Sequence, residues 1–296
     1  MSNEERDRGG RFTPESAQET YGLSIDDPRI IALALTIVMI VSLYVPVAMP
    51  LPIAPYTQGF WDEISGLEAG DLVLCDAKII ASEVTETGPS EELIIKYMHD
   101  RNYKVIYFVT EPDALPLAAE FLSNEYGGLV DSPEYGENFV YLGAIPGAKP
   151  QGASVDSELA FCANLHIMSV DYAGTPLTDI PIISDVLTLN DPRIKLTITL
   201  CSRGLTTHVQ SYVLTYNKRY IAELNAMELR SYIPQYMADL VHGLLGGNRG
   251  GAEFELLSGY TGTNMSVMFA MSMGCLFLIV GMLARNIQYH LRRRKT

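Results

Sequence analysis

"DLVLCDA" (Asp71–Ala77) and "KVIYFVT" (Lys104–Thr110) are apolar runs of strand length. Between them "SEELIIKYMHDRN" sets Leu93, Ile94, Tyr97 and Met98 on one helical stripe behind a serine cap. A strand that is apolar at nearly every position is buried on both faces, which points to a parallel sheet covered by helices. The alternation runs on from there. "LPLAAEFLSNEYGG" reads as a helix with a glycine stop and "NFVYLGAI" as a strand, while "SELAFCANLHIM" reads as a helix and "TPLTDIPIISDVLTL" as a loop with a short helix. "IKLTITLCS" (Ile194–Ser202) is a strand, "THVQSYVLTYN" a helix and "RYIAELNA" a strand. "LRSYIPQYMADLVHGLLGG" reads as one helix, interrupted at Pro234 and ended by glycines. The expected fold is α/β, a doubly wound, mostly parallel sheet of about five strands, carried between two transmembrane helices.

The membrane reading comes from Ile30–Pro46, "IIALALTIVMIVSLYVP", and Met265–Ala284, "MSVMFAMSMGCLFLIVGMLA", neither of which contains a charge. At about 1.5 Å per residue each covers most of a roughly 30 Å hydrocarbon core. The expected organisation is a disordered polar tail over 1–28, a first span over 29–53, an α/β domain over 54–259, a second span over 260–284 and a basic tail over 285–296. Pro46, Pro50, Pro52 and Pro55 are read as ending the first helix and stiffening its exit. Arg285, Arg292, Arg293, Arg294 and Lys295 follow the second run, and Arg11 and Arg29 precede the first. By the positive-inside rule both termini are cytoplasmic and the middle is extracytoplasmic in a two-span protein of the cell membrane. A cleaved signal peptide fits less well, because the leading region is long and acidic and no A-x-A site follows.

The formal net charge is −14. Between Tyr56 and Asn264 there are 12 Lys and Arg against 28 Asp and Glu. Such a surface repels polyphosphates and argues against nucleic acid as a partner. The expected partners are the lipid bilayer and, through the second span, another copy of the chain or another membrane protein. In that span Ser266, Ala270 and Gly274 recur at every fourth position and allow close helix approach. Of four cysteines, Cys275 lies in this span, and Cys75, Cys162 and Cys201 sit in apolar sequence with no CxxC pair. Buried free thiols are expected, with a Cys75–Cys201 disulfide as the alternative.

In an open parallel sheet, ligands bind beyond the carboxyl ends of the strands. Those ends carry Cys75-Asp76, Thr110-Glu111, Gly143, Cys201-Ser202-Arg203-Gly204 and Asn225. If the strands at Asp71 and Ile194 are neighbours, Asp76, Ser202 and Arg203 converge, a set able to hold a polar small molecule. The same three residues also make sense as turn caps and an ion pair. Glu83, Glu86, Glu91 and Glu92 crowd the loop "ASEVTETGPSEE", but the D-x-D-x-D-G spacing of a calcium loop is absent, and a solvated acidic loop is expected. Glu83 joins the ligand-binding candidates together with Asp171 and Thr175, from a turn-rich stretch placed to cover the crevice. No G-x-S-x-G elbow or HExxH pair is present, so no catalytic residue, metal or cofactor is assigned. His208 is the one histidine placed to approach the crevice.

"LLGGNRGGAEFELL" (Leu244–Leu257) lacks the Walker pattern and is read as following a helix, which would exclude a dinucleotide fingerprint. Gly246, Gly247, Gly250 and Gly251 then form a tightly packed neck, with Arg249 in a salt bridge or at a lipid headgroup. Together with "GDLVLCD" and "SVDYAGTPLTDIP" between two spans, this stretch resembles an uncharacterised family of prokaryotic two-span membrane proteins with an extracytoplasmic Rossmann-like domain. The resemblance implies that architecture and no activity. The sequence supports a membrane-anchored binding or scaffold module, part of a membrane complex. The alternative is a tethered hydrolase or transferase using the crevice at the strand ends.

Overall fold

The structure is a computed structural model that describes residues 28–44, 50–150, 152–201 and 204–293. It divides into two units, Val45–Phe269 and the combination of Met1–Tyr44 with Ala270–Thr296. The polar tail expected over 1–28 lies outside the described residues except for Pro28.

In the first unit six strands form one sheet: β1 (Leu72–Lys78), β2 (Lys104–Val109), β3 (Phe139–Ala144), β4 (Ile194–Cys201), β5 (Tyr220–Leu224) and β6 (Gly243–Gly246). All neighbours are parallel and the order is β3-β2-β1-β4-β5-β6. The order reverses between β1 and β4, the Rossmann-type arrangement, and that switch point is where such sheets open a crevice.

The helices are α1 (Pro28–Tyr44), α2 (Pro55–Ser65), α3 (Gly88–Asp100), α4 (Leu115–Glu125), α5 (Val155–Ala163), α6 (Leu205–His208), α7 (Ala226–Met237), α8 (Gly247–Ser258) and α9 (Asn264–Arg293). A π turn over Val209–Thr215 continues α6. The period of two along each strand divides the core. Val73, Cys75, Val105, Tyr107, Ile198 and Ile221 pack with Phe60 of α2, Leu93 and Met98 of α3, Leu122 of α4 and Phe254 of α8. Leu72, Leu74, Ile106, Phe108, Tyr220 and Ala222 pack on the other face with Phe161 of α5, Leu205, Val209 and Tyr232 of α7. Cys75 and Cys162 are buried free thiols, so no disulfide joins Cys75 to Cys201.

Two elements correct the sequence reading. The segment read as one long helix is α7, which runs through Pro234 to Met237, followed by β6, a sixth strand paired with β5. Gly243 opens β6 where a side chain would collide with the Phe60 backbone, so the sequence exchanges β-propensity for close backbone approach of α2. The second correction is α2 itself, within the stretch taken as a stiffened exit. Pro55 stands in its first turn, and Thr57, Phe60 and Ile64 form its buried stripe.

Helix α8 secures both flanks of this unit. Glu253 Oε2 accepts the Ala54 N–H at 3.1 Å, and Glu255 accepts the Asn264 and Met265 N–H groups at 2.8 and 3.2 Å. The second arrangement places a carboxylate on the amino end of α9, where backbone donors lack helical partners.

In the other unit one helix is long and apolar enough to cross a membrane, over Asn264–Ile287. The first apolar run forms the shorter α1, 17 residues, which rises about 26 Å. Gly274 lies against Met39 and Leu35 of α1, a Cβ there falling 3.5–3.7 Å from their side chains. Ala270 is buried, and Gly274 of the small-residue stripe seats α1.

Candidate functional site

At the switch point β1 and β4 are paired neighbours, with Asp76 opposite Thr199. Asp76 is fully buried and accepts hydrogen bonds from Thr110 N at 3.1 Å and Thr110 Oγ1 at 2.6 Å, just beyond β2. His208, at the end of α6, places Nε2 3.3 Å from Asp76 Oδ2 and Nδ1 3.1 Å from Glu158 Oε2 on α5. Two residues along β1, Lys78 Nζ stands 3.2 Å from Glu111 Oε2. All five ionisable groups are at most 2% exposed, so the network sits in a medium where unpaired charge is costly.

Local sequence explains the placement. Period two on β1 sends Asp76 and Lys78 to the face where Leu72 and Leu74 pack, at the open end of the strand. Gly204, with φ +86°, turns the chain from β4 into α6, and its short cap lets His208 point back to the sheet. The imidazole stacks on Tyr212 at 5.2 Å and 9°, which fixes its plane. Gly152 and Gly204 pass so close to Lys78 that a Cβ on either would lie 3.2–3.4 Å from Nζ. Gly152 also borders an open depression of about 510 Å³ lined by Lys149, Pro150, Ala153 and Ser154. A second concavity, of about 420 Å³ beside Asp71, Lys104, Arg193 and Lys195, lies at the opposite edge of the sheet and contains none of these groups.

The electrostatics follow from burial and pairing. Burial pushes the Asp76 carboxyl up from its ordinary value, and His208, Thr110 and Lys78 offset this only in part. Burial alone would lower the His208 imidazole, but Glu158 and Asp76 outweigh it and raise it. His208 is thus held between two carboxylates, in surroundings that favour its protonated form over what burial alone would allow. The thiols are not activated, since burial raises both Cys75 and Cys162.

Other candidates are placed differently. Ser202 and Arg203 lie outside the described residues. Asp171 closes its own turn, accepting from Ala173 N, Thr175 N and Tyr135 Oη at 2.9, 2.7 and 2.6 Å, and Tyr172 beside it packs on Tyr141 of β3. Glu83 sits at the end of β5, accepting from Asn225 Nδ2 at 2.8 Å. The acidic loop is not wholly solvated, because Glu91 is 1% exposed.

The glycine-rich stretch follows strand β6 and opens helix α8, contrary to the sequence reading. It lies within the domain fold: Gly246 meets Leu229, Gly250 meets the Leu245 backbone, and Gly251 meets the Asn264 side chain. Arg249 Nε donates to Glu253 Oε1 at 2.9 Å.

Lys78, Glu158 and Glu223 escaped the sequence reading. Lys78 carried a usable signal, a charge closing an otherwise apolar strand. Glu158, whose partner is 50 residues away, carried none.

Compared with protein-family models, curated proteins and solved structures, the chain matches none. Fold and site define it as an α/β protein with a six-stranded parallel sheet, a buried charge network at the switch point, and one helix fit to cross a membrane.

Proposed function

We propose that this chain is a membrane-anchored binding module that receives a small polar ligand at the carboxyl edge of its sheet, between β1 and β4. The observation that carries the reading is the convergence of Asp76, Lys78, Glu111, Glu158 and His208 at the one place where parallel sheets of this order bind ligands. In the fold Asp76 and Glu158 face His208, and Glu111 faces Lys78. A ligand that replaces any of these contacts must present matched charge or hydrogen bonds, which selects polar molecules over apolar ones.

In this reading α1 and α9 both span the bilayer, with the termini cytoplasmic and the domain outside. The contact of Gly274 with Met39 and Leu35 supports the pairing, and Leu33, Ile37, Ile40, Leu276, Ile279 and Leu283 leave apolar surface exposed for lipid. A tethered hydrolase or transferase draws on His208 as an acid–base group. It is second because burial holds the Cys75 and Cys162 thiols in their protonated form and no described nucleophile contacts His208.

The test is a thermal-shift screen of the detergent-solubilised full chain against amino acids, sugars, nucleotides and small organic acids. A ligand at a hundred times its Kd raises stability by about 2.7 kcal/mol. A hit lost in Lys78→Met and Asp76→Asn supports the site. A hit retained in both variants places binding elsewhere.

A further inference from the structure

Eight acidic residues are buried among the described residues, and six have compensation. Asp76 and Glu158 face His208, Glu111 faces Lys78, and Glu253 faces Arg249. Asp171 and Glu255 accept backbone N–H groups. The exceptions are Glu91, in the first turns of α3, and Glu223, on β5, at 1% and 0% exposure. No described cation lies within ion-pair distance of either, and each keeps a buried Oε2 without a hydrogen-bond partner.

The pair is short of positive charge in a way its hydrogen bonds reveal. Ser90 Oγ lies 2.7 Å from Thr87 O and 3.0 Å from Glu223 Oε1, yet a hydroxyl has one hydrogen for these two acceptors. Two more carboxylates are held at the rim. Glu83 is fixed by Asn225 Nδ2 and Glu86 by the Ala226 N–H at 2.9 Å. Gly247, with φ +52°, keeps the second in place, because a side chain there would strike Glu86 Oε1. The amino end of α3 supplies only about half a unit of positive charge against this set.

We propose that Glu91 and Glu223 anchor a hard divalent cation, of the calcium or magnesium class, beneath the rim formed by Glu83 and Glu86. Glu91 and Glu223 offer carboxylate oxygens, and oxygen ligands favour these ions over zinc or copper. One divalent ion neutralises two carboxylates where one proton neutralises one. Burial and the neighbouring Glu83 and Glu92 raise Glu91 to about 8, so proton and cation compete for the same oxygens. The other acidic grouping, His99, Asp100 and Glu125, already holds a cation, with Lys96 Nζ 3.2 Å from Asp100 and 3.9 Å from Glu125.

The experiment is calorimetric titration of the EDTA-stripped, detergent-solubilised full chain with Ca²⁺ and separately Mg²⁺ at pH 8.5. Glu91→Gln, Glu223→Gln and Glu125→Gln are compared, with thermal midpoints recorded for each. The expected result is one ion per chain, bound at least tenfold more weakly in Glu91→Gln and Glu223→Gln and unchanged in Glu125→Gln. Silence of the folded wild type to both ions overturns the proposal and leaves a carboxyl pair that shares a proton. Unchanged affinity in both Gln variants also overturns it, since the ion then binds elsewhere. None of these outcomes depends on the small-ligand screen.

Discussion

His208 stands between Asp76 and Glu158, 3.3 Å from one carboxylate and 3.1 Å from the other, with the three groups joining β1, α5 and α6 beneath the crevice. Removing the imidazole takes from two buried carboxylates the group that stands between them, leaving Asp76 with Thr110. His208→Gln is expected to cost about 3–5 kcal/mol at neutral pH. The His208 value is raised in the fold, so its stabilisation is complete below the unfolded value near 6.5 and fades as pH climbs through the folded value. Urea unfolding between pH 5 and 9 reads this directly; equal pH dependence in wild type and variant would remove His208 as its source.

Glu91 gives the opposite kind of titration, since it is an acid whose value is raised from 4.5 to about 8. With EDTA present, stability is greatest where the group is protonated in both states and declines as pH rises from about 4.5 to about 8. The facing groups are Glu223, Glu83 and Glu92, with Thr87 donating a hydrogen bond. Each unit of separation is worth about 1.4 kcal/mol. Glu91→Gln is expected to overtake wild type progressively across that window, and chemical denaturation at pH 5 and pH 8.5 supplies the comparison.

Gly243 is the point of closest approach between β6 and α2. Gly243→Ala forces a methyl group into the Phe60 backbone and is expected to lower stability by about 1–3 kcal/mol or more. Gly70→Ala serves as a control for space, since nothing lies near its Cβ position, although its φ of +89° carries strain of its own. A Gly243→Ala melting point at or above wild type would refute the packing account.

Met39 and Gly274 face each other, a Cβ at Gly274 falling 3.5 Å from Met39 Cγ, the nearest approach of α1 to that position. Met39→Cys combined with Gly274→Cys is expected to form an intramolecular disulfide under mild oxidant, seen as faster migration in non-reducing gels. Cross-linking only between separate chains would assign the small-residue stripe to oligomerisation.

Much of the fold was legible because β1, β2 and β3 are apolar at consecutive positions, a pattern that few other environments produce. β6 was not legible. Its four residues, Gly243–Gly246, carry two glycines that serve α2 and Leu229 rather than strand propensity, and they directly follow a helix-like run. α2 hid behind prolines that start it. At the site, Asp76 and Thr110-Glu111 were marked by strand ends. Glu158 and Glu223 owe their roles to partners 50 and 133 residues distant, which no local pattern encodes.

Glu253 and Glu255, two residues apart on α8, hold the amides of Ala54 and Asn264. The residues that precede α2 and those that open α9 are thus held by carboxylates of the same helix. The opposite end of that helix begins at Gly247, pressed against Glu86 beside the carboxyl pair. One short helix therefore carries at one end the carboxylates that hold the two chain ends of the domain, and at the other the glycine that abuts Glu86.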